Sequence, residues 1–171
     1  ELAHQWFGDY VTYETGAHIW LNEGFATYLT DLFFEHAEGE EEFCYRRWKQ
    51  NRAYFETTPD PEKLGLTPDP RGDRPLELFG GKQYNRGAAI LHALRWEIGD
   101  EAFRAGVNLY LTRHADSAVV TEDLRRAMED AAGRDLAWFF DQWVYGAGYP
   151  VVRIEYDYDA EAEDVVVRLR Q

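Results

Sequence analysis

The sequence predicts a mainly α-helical chain that closes with a short β-hairpin. Three observations carry this. Apolar residues recur at three- and four-residue spacing over most of the chain up to Trp143. Gly39, Gly99, Gly133 and Gly146 fall where those periodic segments stop. Beyond Pro150 the period shortens to two, with Val152, Ile154, Tyr156 and Tyr158 alternating with Arg153, Glu155 and Asp157. A chain of 171 residues with 16% aromatics has the means to form a packed core, since this length buries roughly 70% of its unfolded surface. Overall disorder is excluded.

The elements follow in order. Glu1 to about Tyr10 reads as the tail of a helix, with Gly8 as a possible stop, and Val11–Ala17 as a connector. From His18 to Ala37 runs a long helix whose stripe of Leu21, Phe25, Tyr28, Leu29 and Leu32 is widened by Trp20 and Phe33, so it should be central. Gly39 breaks it. Glu40, Glu41 and Glu42 suit the positive end of the next helix dipole, and that helix runs to about Glu56. Thr57–Pro75 holds five of the six prolines and reads as an extended loop. Helices resume at Lys82–Ile98 and Glu101–Arg113. Thr121 reads as an N-cap for a helix ending near Gly133, and Asp135 as the cap of a last one ending at Gly146. Val165, Val167 and Leu169 form the second strand, after an acidic turn at Ala160–Asp164. An isolated hairpin is marginal in water, so it should pack on the helices or join a sheet that this chain does not complete.

Composition narrows the function. The net charge of −14 opposes phosphate backbones and anionic lipid surfaces, which argues against nucleic-acid partners. No apolar run reaches the ~18 residues of a membrane span. The single cysteine, Cys44, excludes an intramolecular disulfide and a cysteine-based zinc cage. The cations include only Lys49, Lys63 and Lys82 besides arginine, which fits adaptation to concentrated salt or GC-biased codon usage equally. His18, His36, His92 and His114 have no metal-ligand spacing and read as structural or exposed. Gly80-Gly81 lacks the frame of a phosphate loop, and the acidic runs lack the order of a calcium loop.

The chemistry gathers at three places: Glu1-Leu2-Ala3-His4, Asn22-Glu23-Gly24-Phe25-Ala26, and Tyr84. The first looks like H-E-x-x-H without its leading His. Histidines at i and i+4 project from one helix face and can both ligate zinc, with the intervening Glu beside the open coordination position. Positions 5–22 separate His4 from Glu23, so a second helix crossing the first could bring Glu23 in as a further ligand. Alone, E-x-x-H arises by chance, and Tyr84 alone reads as a core tyrosine at a helix start.

The longer strings are more specific. E-L-A-H-Q-W-F-G-D at Glu1–Asp9 and W-L-N-E-G-F-A-T-Y at Trp20–Tyr28 together resemble the zinc aminopeptidases of the aminopeptidase N family, a gluzincin metallopeptidase group. Q-Y-N-R-G-A-A from Gln83 is similar to that family's Y-x-K-G-A segment, with Arg86 where Lys is common. F-F-D-Q-W from Phe139 and G-Y-P from Gly148 look like the end of the helical lobe and the entry to a β-sandwich. The resemblance implies the helical lobe of a thermolysin-like metallopeptidase catalytic domain over residues 1–147, incomplete at its amino terminus, and the first strands of a β-sandwich over 148–171. It implies Zn2+ as cofactor in the intact enzyme, His4 and Glu23 as metal ligands, and Glu1 as the catalytic base that passes its proton to the leaving amine. Tyr84 would be the catalytic phenol that donates to the oxyanion. The substrates implied are peptides with a free amino terminus.

The chain departs from the family pattern in having no residue before Glu1 and no G-x-M-E-N segment. The expectation is a truncated piece of a larger peptidase, inactive alone, with weak or absent zinc and a tendency to self-associate through the truncated face. The alternative is a non-catalytic relative serving as an interaction scaffold; intact Glu1, His4, Glu23 and Tyr84 weigh against it. The compartment is left open, with the cytoplasm preferred.

Overall fold

The computed structural model describes residues 1–57, 65–67 and 81–171. A 3-10 turn at Leu2–Gln5 leads to strand β1 (Val11–Tyr13) and a second 3-10 turn at Gly16–His18. Helices α1 (Trp20–Glu38) and α2 (Glu40–Thr57) follow. A π-helical turn, Lys82–Arg86, runs directly into α3 (Gly87–Ile98), and α4 (Asp100–Arg113) comes next. Strand β2 (Ser117–Val119), α5 (Thr121–Ala132) and α6 (Ala137–Phe140), which a π turn extends over Asp141–Tyr145, complete the helical part. Strands β3 (Arg153–Asp159) and β4 (Asp164–Arg170) end the chain. The architecture is the mainly α one predicted, with its hairpin.

Helix α1 is central. Its Trp20, Leu21, Phe25 and Tyr28 are buried, and it packs on α2, on α3 and on the π turn before α3. Phe33, read from sequence as part of the buried stripe, is instead 62% exposed. Phe7 stacks on Phe25 with ring centroids 4.1 Å apart, and Tyr110 of α4 lies alongside both at 6.4 and 6.1 Å. These rings tie the first turn of the chain to α1 and α4. Their burial contributes roughly 1.5–3 kcal/mol per apolar side chain.

Three local readings are corrected. The first residues form a 3-10 turn rather than the end of an α-helix. The connector at Val11–Ala17 contains β1, which pairs in parallel with β2 in the register Val11↔Ser117, Thr12↔Ala118, Tyr13↔Val119. Three-residue strands are too short for a periodic signal, and their pairing across the chain is a tertiary event. Thr121 is not the cap of α5. Val120 holds that position, its N–H donating to the Asp123 carboxylate at 2.9 Å, while the Thr121 hydroxyl is engaged elsewhere.

The hairpin pairs Arg153↔Arg170 through Asp159↔Asp164. Neither face is covered: Ile154, Tyr156 and Leu169 are 64%, 77% and 67% exposed. It does not pack on the helices among the described residues. Most of the proline-rich loop predicted at Thr57–Pro75 lies outside the described residues. Within it Leu66 is fully buried, its N–H donating to the Val144 carbonyl at 2.8 Å. Among the described residues no helix is long and apolar enough to cross a membrane.

Candidate functional site

His4 owes its placement to the turn that carries it. Its N–H donates to the Glu1 carbonyl at 3.1 Å, and the buried Phe7 pins the turn to the core. Gly8 follows with φ +151°, and a Cβ there would stand 3.0 Å from the His4 carbonyl and 3.3 Å from His4 Nδ1. A side chain at this position would collide with the imidazole, so the glycine read as a helix stop is also a clearance for His4. The ring's Nδ1 lies 2.9 Å from the Phe7 carbonyl oxygen. A carbonyl only accepts, so Nδ1 carries a proton, which leaves Nε2 as the ligating nitrogen of the neutral ring.

Nε2 faces Glu23. His4 Nε2 and Glu23 Oε2 are 3.5 Å apart, with the two side chains 29% and 12% exposed. Glu23 sits in the first turn of α1, where the helix dipole favours its charge. The start of α1 is held by a relay of side chains. Trp20 Nε1–H donates to the Thr121 hydroxyl at 3.0 Å, and that hydroxyl lies 3.0 Å from His18 Nδ1, which also accepts from the Thr121 N–H at 3.3 Å. Nδ1 of His18 is therefore unprotonated. Burial holds the His18 pKa below its ordinary value, with the charges of Glu14 and Asp123 opposing.

Tyr84 lies in the π turn Lys82–Arg86, one of the wider turns often found at functional sites. Its phenol lies near enough to Glu23 to feel that carboxylate. Burial pushes its pKa up, and the neighbouring Glu23 and Glu1 carboxylates push the same way. The phenol thus keeps its proton as a donor. Glu1 is exposed, at the head of the Leu2–Gln5 turn, and near enough for its charge to act on Tyr84. Of the four residues singled out from sequence, His4 and Glu23 are in contact, and Tyr84 feels the charges of Glu23 and Glu1.

The donor set fits a zinc ion in type and spacing. Imidazole nitrogen and carboxylate oxygen are both zinc ligands, and two ligands at about 2.0–2.1 Å in a tetrahedron stand about 3.3 Å apart, close to the 3.5 Å seen. Among the described residues no group of three or more His, Cys, Asp or Glu could hold a metal, so the pair provides two ligands. His92 is committed elsewhere, its Nδ1 3.2 Å from the Tyr28 hydroxyl, and Cys44 is exposed.

Sequence reasoning missed the supports of the site. Thr121 was legible only as a helix-start residue, because its partners Trp20 and His18 are a hundred positions away. Arg86 carried a signal as the cation beside Gly87. It is buried, and its Nη2 donates to the carbonyls of Trp143 at 3.1 Å and Gly146 at 2.8 Å.

Comparison with known proteins matches residues 1–143 to the peptidase family M1 domain. Aminopeptidase M1-A of Oryza sativa subsp. japonica is 32% identical over 166 residues, covering 91% of this chain and 18% of that protein. Aminopeptidase N of Streptomyces lividans is 34% identical over 181 aligned positions, covering 100% of this chain and 20% of its own length. The crystal structure of an M1 zinc metallopeptidase from Deinococcus radiodurans superposes with a TM-score of 0.69 at 33% identity, over 88% of this chain and 32% of that one. The chain thus spans about a fifth of the length of these curated relatives.

Proposed function

The chain belongs to the peptidase M1 family, and we propose that the protein it represents is a zinc aminopeptidase that removes amino-terminal residues from peptides. The observation that carries the reading is the approach of His4 Nε2 and Glu23 Oε2 to 3.5 Å beside the Tyr84 phenol. It is supported by the aminopeptidase names of the relatives and by the zinc metallopeptidase fold of the structural neighbour.

In this reading His4 and Glu23 hold the ion. A bound zinc ion supplies Lewis acidity toward a carbonyl oxygen and acidifies a water. The chain's own groups do the rest. The Glu1 carboxylate takes the proton of the attacking water and delivers it to the departing amine. The Tyr84 phenol, kept protonated by burial and by two neighbouring carboxylates, donates to the oxyanion that forms as the peptide carbonyl is attacked. The Phe7 carbonyl fixes the tautomer of His4 so that Nε2 is the ligating atom. Residues 148–171 are proposed to open a β-sandwich that covers the bare hairpin. With two protein ligands, a polypeptide of these 171 residues alone is expected not to turn over.

The test uses the full-length protein with aminoacyl-p-nitroanilides. Hydrolysis that a chelator removes and zinc restores is expected, with Tyr84→Phe lowering kcat by about 10²–10³. A zinc-replete protein that releases no amino acid from any such substrate would refute the peptidase reading and favour a scaffold.

A further inference from the structure

We propose that Gly24 and Gly87 form a backbone-to-backbone crossing that sets the separation of Glu23 and Tyr84, which makes both glycines positioning residues of the site. The inference rests on the peptidase reading above. Gly24 directly follows Glu23 on α1, and Gly87 lies one turn beyond Tyr84, at the junction of the π turn and α3. A Cβ on Gly24 would stand 3.1 Å from the Gly87 Cα and carbonyl carbon, and one on Gly87 would stand 3.0 Å from the Gly24 Cα. Carbon atoms at ordinary van der Waals separation lie about 3.5–4.0 Å apart. The opposing atoms are main chain held inside helices, so no side-chain rotation relieves the clash. Either methyl group forces α1 and α3 apart by about 0.5 Å.

Backbone conformation does not call for glycine here. Gly87 is ordinary right-handed helix, at φ −55° and ψ −49°. Glycine in a helix interior costs about 0.5–1 kcal/mol relative to alanine, so what these two positions gain is closeness. That closeness sits at the point where the two helices carry their functional side chains. Arg86, the residue before Gly87, is clamped to the carbonyls of Trp143 and Gly146. The turn bearing Tyr84 is therefore anchored to the chain after α6, and a shift of α1 against α3 pulls Glu23 and Tyr84 apart instead of being absorbed by the turn.

The test is a double-mutant cycle in the full-length, zinc-loaded enzyme. Gly24→Ala, and independently Gly87→Ala, should lower kcat about ten-fold with KM within about two-fold, since a displacement of 1 Å can cost about 10²-fold. In a Tyr84→Phe background the same substitutions should change kcat by less than about two-fold, because the phenol whose placement they disturb is already absent. An equal loss in both backgrounds, or no loss in either, overturns the inference. A crystal structure of either variant decides it without turnover. The separation of the Tyr84 hydroxyl and the Glu23 carboxylate should exceed that in the parent enzyme by about 0.5 Å, and an unchanged separation overturns the inference. If the parent enzyme hydrolyses no peptide while the variants still show the Glu23–Tyr84 separation increased, the peptidase reading alone fails.

Discussion

Asp31, midway along α1, is fully buried and accepts hydrogen bonds from Arg46 Nε at 3.1 Å, Arg47 Nη1 at 3.2 Å and Gln50 Nε2 at 2.9 Å. Glu23, two turns earlier on the same helix, faces His4 Nε2 and neighbours the Tyr84 phenol, at the edge of solvent. The two acids share a helix and a charge. One is saturated with donors from α2 and locks two helices together, because a buried charge is tolerated only when its oxygens are paired. The other keeps coordination capacity in reserve. Saturation marks a carboxylate that holds the fold, and reserve marks one that acts on a ligand.

Substitutions can break or sharpen this contrast. The largest effect is expected at Asp31. Asp31→Ala strands Arg46 and Arg47 and should cost about 3–5 kcal/mol of unfolding free energy in a urea titration. Glu23→Gln should do the reverse. It should reduce zinc affinity by more than the ~10²-fold that outer partners of a metal site command, read by competition with a chromophoric chelator, while unfolding free energy moves by less than about 1 kcal/mol. A stability loss at Glu23 as large as that at Asp31 would erase the distinction.

Thr121→Val probes the support beneath Glu23. It leaves the buried Trp20 Nε1–H without its acceptor and should cost about 1–3 kcal/mol. An unchanged melting temperature would show that the start of α1 is held by packing alone. The smallest effect concerns pH. Burial holds His18 neutral, with its folded pKa below the 6.5 of the unfolded chain. Its contribution is complete above pH 6.5 and is lost as pH falls toward the folded value, because only the unfolded chain gains a proton in that window. His18→Asn should therefore flatten the fall of melting temperature between pH 7 and 5 relative to the parent protein, and an unchanged slope would remove His18 from the acid limb.

Much of this was legible in the chain itself. The stripe of Leu21, Phe25 and Tyr28 and the stop at Gly39 placed α1 to within two residues, because helix periodicity and glycine termination are local. The alternation from Val152 to Leu169 placed the hairpin for the same reason, and the family resemblance carried by the motifs singled out Glu1, His4, Glu23 and Tyr84. What stayed hidden was whatever depends on partners distant in sequence. β1 and β2 are three residues each and exist only because they pair with one another. Thr121 looks like a helix cap until Trp20 and His18 reach it. Sequence determined which side chains could do chemistry and which faces had to be buried, since composition and period encode both. Only the tertiary structure decided that Glu23 meets His4 while Asp31 is saturated, and that two glycines sixty-three positions apart touch backbone to backbone. Those outcomes are set by how closely helices pack, a distance that no local pattern specifies.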